Sequence, residues 1–152
     1  GSQDRGAALG DVDNDGDPDL VFCAFTDIRL YRDTARQLHS PRRARPGESL
    51  NLVGHAVDRA GKSSRTILPL MGLGTGWTQL PPLGLLRLDP TRTIFPLPPA
   101  GTRPATGRAE WHLPLPLSPA IVGIPLPFQA LAQDGHHGWR FTNLSLQTIC
   151  SF

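Results

Sequence analysis

Short stretches in which apolar and polar residues alternate recur from Leu50 to the end of the chain, and turn residues separate them. Alternation with a period of two puts every second side chain on the same face, which is typical of a half-buried β-strand. The strands predicted in this way are 50–57, 67–71, 85–88, 109–113, 128–133 and 144–149. Their spacing predicts a seven-stranded, immunoglobulin-like β-sandwich over residues 50–152.

A different pattern occupies residues 1–33. An acidic loop is followed by an apolar strand at 20–25, a turn at 26–27 and a second strand at 28–32, which predicts a β-hairpin. Two strands alone are only marginally stable in water, so we expect this hairpin to pack on, or pair with, other β-structure. Residues 34–49 are polar and basic and contain Pro41, Pro46 and Gly47, which predicts a linker between the hairpin and the sandwich.

Composition supports an all-β fold. The chain has 152 residues, which is enough for one domain with a sizeable core and a small addition. Its 16 Gly and 16 Pro residues favour short strands and turns, because Pro breaks helices and cannot donate a ladder hydrogen bond. Pro recurs so often between 66 and 128 that no long helix fits there.

The charge pattern bears on partners and location. A formal net charge of +2 gives little steering toward polyanions, so we expect no nucleic-acid partner. The basic cluster at Arg42, Arg43 and Arg45 is interpreted as a solvated part of the linker. No run of 18 apolar residues is present, so we expect no membrane span. The chain does not begin with Met, so Gly1 and Ser2 could be left over from expression, or the chain could be part of a longer exported precursor. We favour the precursor, because the motif near the start looks cut out of something larger.

The acidic run at 11–19 is the strongest chemical signal in the chain. Calcium takes six to eight oxygen ligands at about 2.3–2.6 Å, so a loop that binds it must bring several oxygens to one point. Asp at the first, third and fifth positions, with Gly16 at the sixth, meets that requirement. The expected ligands are the side chains of Asp11, Asp13, Asp15 and Asp19 and the backbone carbonyl of Asp17.

The loop differs from an EF-hand in one position and in its flanks. Phe22 stands at the twelfth position, where an EF-hand has Glu, and no helix-forming sequence surrounds the loop. Carboxylates packed this densely repel one another unless a cation neutralises them, which is a second reason to expect a structural Ca²⁺. The alternative is a solvated acidic turn.

Residues 6–22, with Arg29-Leu30-Tyr31-Arg32 after them, resemble one FG-GAP or VCBS-type repeat, the blade unit of calcium-bearing β-propellers in secreted and surface proteins. Residues 36–149 are more loosely similar to the immunoglobulin-like C-terminal domains that follow such repeats in large secreted bacterial proteins. The resemblance implies a bacterial extracellular or cell-surface location. It implies a calcium-bearing blade for the first part and a fold, without an activity, for the second.

Cys23 and Cys150 lie near opposite ends of the chain. In an exported protein they could form one disulfide, which would close a long loop and contribute about 4–5 kcal/mol in the chain-entropy model. If they stay reduced, they act as small hydrophobic side chains. Sequence spacing leaves both alternatives open.

Catalytic signatures are weak. His136 and His137 are interpreted as part of an exposed turn, because adjacent side chains in a loop diverge. Residues 72–77 lack the Lys-Ser or Lys-Thr ending and the helix of a phosphate-binding loop, so we interpret them as a strand connection. No Gly-x-Ser-x-Gly elbow is present, and no set of Ser, His and acid stands out, so we expect no enzyme.

These observations predict a structural subunit of an extracellular fibre or surface assembly. The N-terminal strands would pair with, or be donated to, a neighbouring copy, giving a homo-oligomer or helical filament. One alternative is a secreted adhesion or carbohydrate- or protein-binding module, in which Trp77, Trp111 and Trp139 could stack on a glycan. Another is a non-catalytic accessory domain of a larger secreted protein.

Overall fold

The structure of the protein, a computed structural model, describes residues 6–10, 12, 19–24, 27–31, 36–40, 43–56, 65–104, 106–134 and 138–151. Within these residues the fold is all-β, with antiparallel sheets and a single 3-10 turn at Pro119–Ile121. The same part of the chain contains no helix long and apolar enough to cross a bilayer. The strands are β1 (Gly6–Gly10), β2 (Asp19–Ala24), β3 (Asp27–Tyr31), β4 (Arg36–His39), β5 (Ser49–Ala56), β6 (Thr66–Gly72), β7 (Thr75–Leu80), β8 (Gly84–Leu88), β9 (Ile94–Pro96), β10 (Ala100–Gly101), β11 (Arg108–Pro114), β12 (Pro125–Asp134), β13 (Gly138–Phe141) and β14 (Ser145–Thr148).

Two sheets enclose the main core. The first has the strand order β11-β5-β4, and the second has the order β10-β6-β12-β13, in which β14 also pairs with β12 and β9 with β6. Side chains from both sheets meet in one cluster, an arrangement consistent with a β-sandwich. Its buried members are Leu38, Ala44, Leu50, Leu52, Ala56, Ile67, Ala109, Trp111, Phe128, Ala130 and Ala132.

Strand β5 shows how the sequence pattern becomes a face of the sheet. Leu50, Leu52 and Ala56 are buried in the main core, whereas Asn51 and His55 alternate with them and are only partly buried. Fully burying a Leu side chain contributes about 1.5–3 kcal/mol. A shift of one residue in the pairing would move these side chains into solvent, so the alternation fixes the register of β5.

A hairpin of β7 and β8 covers the face of the second sheet that points away from the main core. Leu86 and Leu88 of β8 are buried with Phe141 of β13 in a second apolar cluster. The hairpin turn ends at Gly84, whose φ of 100° is a conformation that favours glycine. The molecule therefore adds a third, smaller layer to the two-sheet core.

The first and last chain segments of the sandwich lie side by side. The backbone N–H of Leu38 in β4 donates to Oδ1 of Asn143 (2.7 Å), and Nδ2 of Asn143 donates to the Leu38 carbonyl (3.0 Å). Further along, the N–H of Cys150 donates to the carbonyl of Ala44 (3.0 Å). These bonds fasten the segment that enters the sandwich to the segment that leaves it.

The N-terminal strands form their own antiparallel sheet, in the order β1-β2-β3. Gly10 at the end of β1 lies opposite Asp19 at the start of β2, so this pair closes the base of the acidic loop. Among the described residues, none of these strands is hydrogen-bonded to a strand of the sandwich. The predicted hairpin is thus confirmed in β2 and β3, and β1 adds a strand that the sequence did not indicate.

The six strands predicted beyond residue 50 are confirmed as β5, β6, β8, β11, β12 and β14. The linker prediction for 34–49 is wrong at β4, which pairs with β5 and buries Leu38. This strand contributes one buried apolar side chain, so its sequence resembles a polar linker. Of the strand connection predicted at 72–77, only Leu73 and Gly74 connect two strands, because Gly72 ends β6 and Thr75 begins β7.

Candidate assembly and ligand-binding sites

The predicted calcium loop lies largely outside the described residues. This applies to Asp11, Asp13, Asp15 and Asp17, and of Asp19 only the backbone is described, at the start of β2. Elsewhere in the described chain no group of three or more His, Cys, Asp or Glu side chains is suited to a metal ion. The calcium site at 11–19 and its ligand set stay predictions.

The sheet formed by β1, β2 and β3 exposes apolar side chains on both faces. Leu9 and Leu20 are cross-strand neighbours, as are Cys23 and Ile28. Because residues three apart on β2 point in opposite directions, the two pairs lie on opposite faces. All four side chains are exposed, and Leu9 and Ile28 each expose 73% of their surface. The described part of the sandwich leaves both faces in contact with solvent.

Both cysteines are free thiols in the structure. Cys23 is exposed on β2, and Sγ of Cys150 lies 3.8 Å from the carbonyl oxygen of Thr148, to which it can donate. The disulfide between them stays a prediction for oxidising conditions.

The three tryptophans have different environments. Trp111 is only 7% exposed in the main core, and its Nε1 donates to the carbonyl of Pro98 at 2.8 Å. Trp139 on β13 is 38% exposed and Trp77 on β7 is 69% exposed. Sequence reasoning named all three as candidates for glycan stacking, and the burial of Trp111 removes it from that set.

A β-bulge determines where Trp77 stands. Thr75 lies opposite Leu88 and Thr78 lies opposite Leu86, so Gly76 and Trp77 both face Arg87 on β8. Bulges of this kind bend a strand and redirect a side chain. A Cβ on Gly76 would lie 3.1 Å from Cα of Asp89, and that close approach of two backbones favours glycine.

Trp77 and Arg87 form a cation–π pair on the outer face of the hairpin. Cζ of Arg87 lies 4.2 Å from the centroid of the Trp77 ring. At an exposed site such a pair contributes about 0.5–1 kcal/mol. Nε of Arg87 is buried and has no hydrogen-bond partner within the described part of the chain. Trp77 was a candidate from the sequence, but Arg87 was not, because only the hairpin register brings the two together.

A buried glutamine holds the strand that carries Arg87. Oε1 of Gln129 accepts from the backbone N–H of Arg87 (2.8 Å), and Nε2 donates to the carbonyls of Leu85 (2.9 Å) and Thr142 (2.9 Å). Gln129 itself is fully buried on β12. Its amide therefore fixes the position of β8, and with it the base of the Arg87 side chain.

The outer face of the β11-β5-β4 sheet carries histidines that are far apart in the sequence. The rings of His39 and His55 stack with centroids 5.7 Å apart and planes 5° from parallel. Burial, and then Arg108, lower the pKa of His39. Burial, His39 and Arg108, in that order, lower the pKa of His55. Nε of Arg108 in turn lies 2.9 Å from Oε1 of Glu110.

A third histidine on this face, His112, lies outside the stack, and its Nδ1 is 2.7 Å from Oδ1 of Asn51. The pair His136 and His137 lies outside the described residues.

No family model, curated protein or solved structure matches this chain.

Proposed function

We propose that this protein is a non-catalytic structural subunit of an extracellular assembly, in which copies join through the sheet formed by β1, β2 and β3. The observation that carries the proposal is the exposure of apolar side chains on both faces of that sheet, with Leu9 on one face and Ile28 on the other. Exposed apolar surface is favourably removed from water by a partner.

Because exposed apolar side chains lie on both faces of this sheet, repeated contacts between copies are favoured over a single dimer contact. A symmetric dimer would cover the same face on both copies and leave the other face in water. A head-to-tail contact, in which one face meets the opposite face of the next copy, covers both. When such a contact does not close into a ring, it propagates as a filament.

The edges of the sheet supply a second means of joining. β1 and β3 are the outer strands in the order β1-β2-β3, so each has a hydrogen-bonding edge that no described strand occupies. Unpaired edges are templates for pairing with another chain. Pairing of β1 or β3 with a neighbouring copy would extend the sheet between subunits, as the sequence led us to expect.

The rest of the molecule suits a spacer within such an assembly. In this proposal the sandwich is immunoglobulin-like and carries no catalytic centre, and Ca²⁺ bound at 11–19 stiffens the connection between β1 and β2. The FG-GAP or VCBS resemblance of residues 6–33 supports an extracellular or surface location in a bacterium.

Charged substitutions on the N-terminal sheet test this proposal. We expect the double variant Leu9→Asp and Ile28→Asp to shift the protein to monomers, because each new carboxylate would have to be desolvated in the contact. Light scattering coupled to size exclusion gives the mass, and electron microscopy shows whether filaments persist. The matched control is Leu117→Asp, at a leucine of the sandwich that is 76% exposed, and we expect it to assemble like the unmodified protein.

Two results would contradict the proposal. One is an unmodified protein that remains monomeric at all concentrations in calcium. The other is an assembly that the double variant leaves intact while Leu117→Asp disrupts it, because the contact would then lie on the sandwich.

A further inference from the structure

Among the described residues, Arg87 is a half-buried cation whose guanidinium has no charged or hydrogen-bonding partner. Its Nε is shielded from solvent. Among the described residues its side chain contacts an aromatic ring, that of Trp77, and no carboxylate pairs with it. The neighbouring Arg92 differs, since its Nε lies 3.4 Å from Oδ2 of Asp89.

The indole of Trp77 adds a flat surface beside this cation. Arg87 lies over the ring, and the side chain of Trp77 is nevertheless 69% exposed. A large exposed indole held in place by a bulge and a cation is ready to stack on a ring without being reordered. The positive charge next to the indole disfavours a cationic ligand and favours an anionic one.

We propose that Trp77 and Arg87 bind a sugar ring that carries a carboxylate, as in the uronic acids of acidic polysaccharides. The apolar C–H face of the sugar stacks on the open face of Trp77, opposite the face that Arg87 covers, and its carboxylate is attracted across the indole by the charge of the guanidinium. The hydroxyl groups at the edge of the sugar stay in water, which suits an open surface. This binding activity goes beyond the assembly role proposed above and does not depend on it.

The chemistry of the hairpin favours an acidic saccharide over a nucleic acid. Binding a nucleic-acid strand requires several Lys or Arg side chains along the phosphates. On the outer face of the hairpin, Arg87 is the cation that lies against the aromatic ring, and Arg92 is already paired with Asp89. One guanidinium next to one indole matches a single carboxylate on a single ring.

Isothermal titration with trigalacturonate and with its fully methyl-esterified form tests the proposal. The two probes share the same rings, but the ester carries no charge. We expect the acid to bind about two- to threefold more tightly than the ester, because a charge on the far side of the indole attracts the carboxylate without a direct hydrogen bond. Trp77→Ala should weaken binding of the acid by about tenfold or more, because the stacking surface is lost. The matched control Trp139→Ala removes a different exposed tryptophan and should change the affinity less than about twofold.

A second variant tests the contribution of the Arg87 charge to binding. Arg87→Gln should lower the acid-to-ester ratio to about one while the remaining affinity stays sensitive to Trp77. Circular dichroism and thermal unfolding establish whether each variant is folded. If Arg87→Gln fails to fold, the comparison of acid and ester on the unmodified protein still decides the question.

The proposal is overturned if trigalacturonate does not bind at millimolar concentration, or if acid and ester bind equally well to the unmodified protein. It is also overturned if Trp139→Ala reduces binding as much as Trp77→Ala does. None of these results depends on whether the protein forms filaments, because the titration also applies to the monomeric double variant of the N-terminal sheet.

Discussion

The side chain of Gln129 takes the place of a peptide group beside β8. Like a neighbouring strand, it offers one acceptor to the N–H of Arg87 and one donor to the carbonyl of Leu85. Its second amide hydrogen bonds the carbonyl of Thr142, so the donors and the acceptor of the amide are all used. A polar residue at the centre of β12 is thus compatible with full burial, and it specifies where the hairpin docks.

Gln129→Leu should destabilise the protein by about 1–3 kcal/mol, because the backbone groups of Arg87, Leu85 and Thr142 would be left buried without partners. Urea unfolding monitored by circular dichroism measures this difference. Gln133→Leu is the control, since Gln133 lies on the same face of β12 but is exposed. Equal stability of Gln129→Leu and the unmodified protein would show that water satisfies the freed groups.

Among the elements, the outer face of the β11-β5-β4 sheet should make the stability of the fold depend on pH. The pKa values of His39 and His55 lie below the ordinary value of 6.5 in the folded protein, chiefly through burial. The unfolded chain therefore binds more protons than the folded one as the pH falls below 6.5. The contribution of this pair to stability is complete above pH 6.5 and is lost as the pH falls through the folded-state pKa values.

We therefore expect the free energy of unfolding to decrease from pH 7.5 to pH 5, and to do so less in the double variant His39→Gln and His55→Gln. Arg108, which is ion-paired with Glu110, faces the pair. Chemical denaturation at several pH values gives the slope. His112→Gln is the control on the same face, and a slope that changes as much in this control as in the double variant would contradict the assignment.

How far the elements could be predicted depended on their side-chain pattern. β5 and β12 were predictable because each places apolar side chains at alternate positions, such as Leu50 and Leu52 or Phe128 and Ala130. β4 was not, since Leu38 is its one core residue and its place is set by pairing with β5. Short strands such as β9 and β13 likewise depend on neighbours distant in sequence.

The candidate sites likewise differ in how far they could be predicted from the sequence. The aspartates at 11–19 predict a cation site by spacing alone, because the expected ligands are close together in the chain. The stack of His39 on His55 and the pair of Trp77 and Arg87 join residues that are separated by a strand connection. Their proximity follows from register and from a bulge, and local composition carries little information about either.

At the scale of the whole molecule, the N-terminal sheet and the sandwich should respond differently to calcium. The predicted ligands, Asp11 to Asp19, belong to the loop between β1 and β2, whereas the main core draws its stability from apolar burial. Chelation with EDTA should therefore reduce amide protection in β1, β2 and β3 and leave that of β5 and β12 nearly unchanged.

Hydrogen exchange followed by mass spectrometry, with calcium and with EDTA, measures this difference by segment. Asp13→Asn and Asp15→Asn together should reproduce the effect of EDTA in the presence of calcium, because two charged ligands are weakened. Uniform loss of protection across both units would instead indicate a general effect on the whole fold. Unchanged protection of β1 to β3 would remove the structural role of the ion.

The bonds from Ala44 to Cys150 and from Leu38 to Asn143 also determine how the sandwich carries tension. A pull on the chain at Arg36 and at Ser151 runs along the backbone of β4 to Ala44, and the hydrogen bond between Cys150 and Ala44 passes it on to Ser151. That bond is therefore loaded before the ladder between β4 and β5, and the two bonds between Leu38 and Asn143 are the next to take the load. Under tension the core between the sheets would be largely bypassed, and the mechanical strength of the sandwich would reside in the bonds that join its first segment to its last.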